Sequence, residues 1–354
     1  MIGRGRKEEW IHLGRSLLPG LILLGGLLPG CSRDPGEVAP PATDAEGTDY
    51  DPIRFDEGLL AIERWLEDGR PAEAEQIARR LVALNPDSID ALDAHGRCLV
   101  ILAALERREG VGDGKALDLE ALGCYRALIE RSGETPLPIH LHAAGLAAQS
   151  AGELDEAFAF HVRADTIEPD NPQHAIFAGN ILAGLGRTGE AKAWFEKATT
   201  IDPREPWGWA GLAEALRQDG ATTDALEAIR KARSAAPGSS GFRVAEARIL
   251  RESGNAREAA MLLYALPPLE RATFVVTTEI ALACEAIGEH RRAAEAWEAL
   301  HMRDRDAYLP ALNAAAAWLN AGEPELTVSW LDTAVAAGAP AEEVEAVRAR
   351  LAER

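Results

Sequence analysis

Six glycines, Gly152, Gly186, Gly220, Gly254, Gly288 and Gly322, recur at intervals of 34 residues without a slip. A constant period of that length requires one supersecondary unit stacked repeatedly, each burying its apolar face on its neighbours. Glycine permits the positive backbone angle that ends a helix and opens a tight turn, so the period marks one helix end per unit. The 354 residues would suffice for two or three globular domains, but an unbroken repeat predicts one elongated array. An array of this kind points to function by binding, not catalysis.

The rest of the period carries a pattern. With each glycine at position 15, the unit starting at Pro172 has Gly179 at position 8, Ala191 at 20, Phe195 at 24, Ala198 at 27 and Pro203 at 32. The preceding unit gives Gly145, Ala157, Ala164 and Pro169, and the following one Trp209, Leu212, Ala225, Ala232 and Pro237. Later units keep small residues at 8 and 20 (Ala247 and Ala259, Ala281 and Ala293, Ala315 and Thr327) but lose the proline. Small side chains at 8 and 20 let two helices approach closely. The proline at 32 stops the second helix before the next unit begins. Apolar residues between these marks, such as Leu212, Leu216, Leu226 and Ile229, recur at three and four, as amphipathic helices require.

This signature resembles the tetratricopeptide repeat family. The resemblance covers about 55–341 and implies an all-α fold, a right-handed solenoid of about eight helix-turn-helix units. Their expected limits are 55–88, 89–137, 138–171, 172–205, 206–239, 240–273, 274–307 and 308–341, followed by a cap helix at 342–354. Gly69, Ala74 and Pro86 place the first unit. Gly69 and Gly152 lie two periods plus 15 residues apart, so the second unit carries an insertion. Its charge and Gly110, Gly112 and Gly114 place that insertion, of about 15 residues, near Leu105 to Asp118.

The first 54 residues are of another kind. Arg4, Arg6, Lys7 and Arg15 precede the apolar run Leu17 to Leu28, which Leu28-Pro29-Gly30-Cys31 closes. A basic start, a short apolar core and small residues before a cleavage point describe a secretory signal over 1–30. The run is short for a spanning helix, which needs about 20 residues. The terminal cysteine makes the segment resemble a bacterial lipoprotein signal, which implies lipidation of Cys31 and a chain held outside the cytoplasm. Ser32 after that cysteine implies the outer membrane over the inner one. Residues 31–54 are acidic and proline-rich with almost nothing to bury, and are expected to be a disordered tether of about 25 Å.

The formal charge of −20 becomes −22 when residues 1–30 are removed. That repels phosphate backbones and anionic head groups, so nucleic acid is not an expected partner. Cys98, Cys124 and Cys284 remain beyond Cys31; Cys98 and Cys124 either pair as a disulfide or stay as buried thiols.

No motif here carries chemistry. His140 and His142 are two apart and point in different directions on a helix, so they make no metal pair. His161 takes position 24, where Phe195 and Trp297 stand in other units, and is expected in the core without a metal. Gly110 to Gly114 lacks the preceding strand and following Gly-Lys-Ser/Thr of a phosphate loop. No serine or cysteine has the surroundings of an activated nucleophile. Neither catalytic residues nor a cofactor are therefore expected.

The family resemblance implies where a protein or peptide partner would lie. Positions 2, 5, 9 and 12 of first helices line the family's concave groove, which here gives His142, Leu146, Gln173, Ile176, Asn180, Trp207, Glu214, Arg217, Arg248 and Arg251. Ile176 stands where a chaperone-binding carboxylate clamp needs Lys, and only Asn313 matches the asparagine ladder of glycosyltransferase arrays. Trp207 beside arginines has the composition of a binding hot spot. Two placements compete for these residues. Trp207 packs on a neighbouring unit or faces a partner; the arginines pair with Glu214 and Glu285 one period away or stay free for an acidic segment. The resulting expectation is a membrane-tethered scaffold in the bacterial cell envelope, like the repeat lipoproteins that help assemble envelope machines. The alternative is an accessory subunit of an enzyme complex, or an enzyme whose active residues the sequence hides.

Overall fold

The computed structural model describes residues 52–353, and all regular secondary structure among them is helical. The helices are α1 (Pro52–Glu67), α2 (Pro71–Leu84), α3 (Ile89–Glu109), α4 (Lys115–Arg131), α5 (Pro138–Ala151), α6 (Leu154–Ile167) and α7 (Pro172–Gly184). They continue as α8 (Thr188–Ile201), α9 (Pro206–Gln218), α10 (Thr222–Ala235), α11 (Ser240–Glu252), α12 (Ala256–Tyr264) and α13 (Pro268–Arg271). The last five are α14 (Phe274–Ala286), α15 (His290–His301), α16 (Tyr308–Ala321), α17 (Pro324–Ala336) and α18 (Ala341–Ala352).

The 34-residue period holds in the helices themselves. First helices begin at Pro138, Pro172, Pro206, Ser240, Phe274 and Tyr308, and second helices at Leu154, Thr188, Thr222, Ala256, His290 and Pro324. Each of the six glycines sits two residues before a second helix with a φ between 75° and 89°. Only glycine takes that left-handed conformation without strain. Pro86, Pro169, Pro203 and Pro237 each stand two residues past a second helix. Seven further prolines, Pro52, Pro71, Pro138, Pro172, Pro206, Pro268 and Pro324, begin helices, where the missing N–H costs nothing.

The chain divides after Arg187 into two compact units. In the first, consecutive helices from α1 to α7 pack on one another. Its cores gather Phe55, Ile62, Ala78 and Leu81 near the start and Leu99, Leu122, Leu128 and Leu141 further on. In the second, the cores gather Leu250, Leu263, Cys284 and Trp297, then Leu312, Leu319, Leu331 and Val344, the last from the cap helix α18. All eight residues at position 20, from Ala74 to Thr327, are fully buried. A larger side chain there would have to push helices apart, at a cost of about 1–3 kcal/mol for each overpacked site.

The structure shows what form the insertion near 105–118 takes and moves one expected boundary. The insertion is taken up by α3 and α4, which run 21 and 17 residues against 13 or 14 in most neighbours, leaving a turn at 110–114. Arg107 anchors that turn, donating to the Asp113 carbonyl oxygen at 3.2 Å and to buried Asp118 at 2.6 Å. The first helix begins at Pro52, so the segment expected as a tether ends earlier than residue 54. Cys31 and the leader lie outside the described residues.

Candidate functional site

In the second compact unit, the expected groove arginines are engaged internally. Arg217 donates to Glu214 at 2.7 and 2.8 Å and to Glu252 at 2.8 Å. Arg248 and Arg251 both reach Glu279, at 2.7 and 3.3 Å. Glu279 is only 4% exposed, so its carboxylate needs these cations as compensation for lost water. The closest partners differ from those expected one period away: Glu214 accepts from Arg217, and Glu285, within the field of Arg251, accepts from the Trp297 indole N–H at 2.7 Å. Burial pushes the Glu285 carboxyl up, which that hydrogen bond partly offsets. Trp207 packs edge-on against Phe242 with centroids 5.0 Å apart, as one of its two sequence placements required.

In the first unit, Ile176 is a correction: it is 4% exposed and belongs to the core of α7. Its apolar side chain is more stable against neighbouring helices than in water. Asn180 is exposed, while Leu146 and Gln173 are half-buried.

Position 2 of the first helices has a different character. Ile139 is 68% exposed in the first unit, and Val275 and Leu309 are 38% and 54% exposed in the second. Trp207 holds the same place in α9 and is half-buried. Exposed apolar side chains scattered singly are ordinary, but recurrence at one repeat position sets them apart.

Two buried polar clusters were not legible as clusters in the sequence. Cys98, Cys124 and Cys284 are all free and buried, which decides against a Cys98–Cys124 disulfide. Cys124 Sγ lies 3.4 Å from His95 Nδ1, and His95 Nε2 lies 3.2 Å from Glu75. The order thiol, imidazole, carboxylate is that of a nucleophilic relay. Burial pushes the Cys124 thiol up to about 11 and that of Cys98 to about 12, so neither supplies thiolate at neutral pH.

The second cluster joins three helices. His142 of α5, His161 of α6 and His174 of α7 bring one ring nitrogen each within 4.8 Å of the others. His161 is fully buried, stacked on Phe177 with centroids 5.0 Å apart. A Cβ added at Gly145 would fall 2.5 Å from His161 Nε2, so the glycine makes room for the ring. The same pairing recurs one unit earlier, where Gly96 makes room for Tyr125. His174 Nε2 lies 3.2 Å from Glu168 Oε2. Both nitrogens of His161, and Nδ1 of His142 and of His174, are buried without a hydrogen-bond partner. Each such group costs about 1–3 kcal/mol. Burial, and then the neighbouring imidazoles, push His161 down to about 3; burial and His174 push His142 down to about 4. Both rings are therefore neutral at pH 7 and keep a lone pair. The sequence rules out a pair between His140 and His142 and places His161 in the core; spacing within one helix carries no information about rings from three helices.

These geometries define a protein of stacked helical hairpins with a strict 34-residue repeat. The model of the tetratricopeptide repeat family matches residues 176–205, one unit of the array. The fold is similar to that of the Cut9–Hcn1 hetero-tetramer of APC/C, with a TM-score of 0.53 at 13% identity, over 85% of this chain and 57% of that one. Similarity to YrrB, a repeat protein described as having an unusual peptide-binding site, covers 53% of this chain and 97% of that one, at 15% identity and a TM-score of 0.46. PilF of Pseudomonas aeruginosa matches at 17% identity and a TM-score of 0.47, over 63% and 95%. No curated protein matches in sequence.

Proposed function

We propose that this chain is a scaffold that binds protein partners through the exposed starts of its first helices, and that Cys31 tethers it by lipid to a bacterial membrane. The single observation that carries the binding function is the recurrence of exposed Val275 and Leu309 at one repeat position in consecutive repeats of the second unit. Side chains of this kind, spaced by the repeat, suit an apolar partner surface better than a small substrate. The net charge of −20 argues against nucleic acid as that partner. The membrane tether rests on the basic leader, the apolar run and the Leu-Pro-Gly-Cys that ends it. With Ser32 behind the cysteine, the outer membrane of a bacterial envelope is the proposed location, with the repeats facing the periplasm.

The test is a photoreactive side chain at position 309, compared with one at exposed Glu343 on α18. After irradiation in cells, solubilised membranes should yield one protein crosslinked in stoichiometric amounts at 309 and not at 343. The same adduct at both positions, or none at 309, would contradict the proposal. Turnover of a substrate by the purified chain would favour the enzyme alternative.

A further inference from the structure

We propose that His142, His161 and His174 bind a divalent transition metal ion of the zinc type, tying α6 to the two first helices α5 and α7. Three imidazoles are a nitrogen donor set that suits zinc, cobalt, nickel or copper and not the oxygen-seeking magnesium or calcium. Their donor atoms already converge within 4.8 Å. Zinc–nitrogen bonds of about 2.0–2.1 Å in tetrahedral geometry hold donors about 3.4 Å apart, so the three must close by little more than an ångström. His142 is the half-buried ring of the three, and the other two are buried.

Packing alone does not account for the cluster. At the position of His161 other units carry Tyr125, Phe195 and Trp297, all buried. A hydrocarbon ring would fill the space beside Gly145 without leaving two nitrogens unsatisfied. Histidine instead concentrates four partnerless ring nitrogens in one spot. A metal ion would occupy three of them at once. His174 shows the remaining element of such a site: Glu168 holds its Nε2, which leaves Nδ1 directed elsewhere as the donor. A carboxylate behind a ligating imidazole fixes ring orientation and raises its basicity. Three protein ligands leave one coordination position for water or for a partner's side chain.

The experiment uses the full chain, purified in detergent, stripped with EDTA and titrated with cobalt(II). The expected result is saturation at one equivalent with the intense visible absorption of tetrahedral cobalt, and displacement of that spectrum by zinc. His161→Phe should abolish the spectrum while keeping helical circular dichroism, since aromatic rings fill the same place in other units. His142→Gln carries the same expectation at a half-buried position, so a misfolded His161→Phe chain would not leave the question open. His290→Ala, outside the cluster, should bind as the wild type does. Zinc should raise the melting temperature of the wild type and leave that of the His142→Gln chain unchanged; magnesium should move neither. Absence of saturable cobalt binding, or an unchanged spectrum in either cluster variant, would overturn the proposal.

Discussion

Arg248 donates through Nε to Glu279 Oε1 at 2.7 Å, and Arg251 reaches the other oxygen of the same carboxylate at 3.3 Å. Two cations on α11 thus hold one buried anion on α14. Glu246 repeats the arrangement, 2% exposed and gripped by Arg230 at 2.8 Å and Arg233 at 2.7 Å. Acidic residues outnumber basic ones by 20 in this chain, so arginines facing such carboxylates are spent on internal neutralisation before any partner arrives.

The double variant Arg248→Ala with Arg251→Ala is therefore expected to lose stability. Removing the cations strands the Glu279 carboxylate in a site that excludes water, and breaking a buried pair in this way costs about 3–5 kcal/mol. Adding Glu279→Gln to the double variant should recover part of the loss, because it removes the stranded charge. Urea unfolding followed by circular dichroism reads both. A midpoint unchanged in the double variant would show the arginines to be free of a structural duty.

Two glycine-to-alanine changes separate a packing constraint from helix propensity. At Gly145 the new methyl would meet the His161 ring at 2.5 Å, so Gly145→Ala should destabilise by about 1–3 kcal/mol. Gly123 is exposed within α4 and its Cβ would meet nothing within 4 Å. There the better helix former should stabilise, by about 1 kcal/mol at most. Equal shifts of the same sign would contradict the close approach of His161 to α5.

Cys31→Ala is expected to yield a chain that is neither acylated nor cleaved before residue 31. Mass spectrometry of the wild-type chain from membranes should find a lipid on Cys31 as the first residue. Residues 1–30 still attached to the wild-type mature chain would contradict the tether.

The fold was legible because glycine, alanine and proline each have one physical reason to stand where they do. The left-handed turns, the fully buried position 20 and the ends of the second helices all follow from single residues and their spacing. What the sequence left open depends on side chains from different helices. Glu279 lies 31 residues from Arg248, not the full period assumed in pairing Arg248 with Glu214. The position rule that placed Ile176 in a groove took no account of its hydrophobicity, which puts it in the core. The histidine cluster escaped for a related reason: His161 was matched to aromatic residues in its own column, while its partners stand in two other columns of the repeat. That the insertion is mostly helical was not legible, because Gly110 ends one helix and Gly114 precedes the next without either measuring the turn between them.

The claim that this chain works by binding a protein through the exposed starts of its first helices is tested most directly by affinity. The protein crosslinked at 309 should be purified and titrated against the wild type and against Val275→Asp with Leu309→Asp. Both residues are exposed, so helical circular dichroism and melting temperature should stay as in the wild type. Burying two new carboxylates under an apolar partner surface should weaken binding by at least about tenfold. Equal affinity for the two chains would contradict the account.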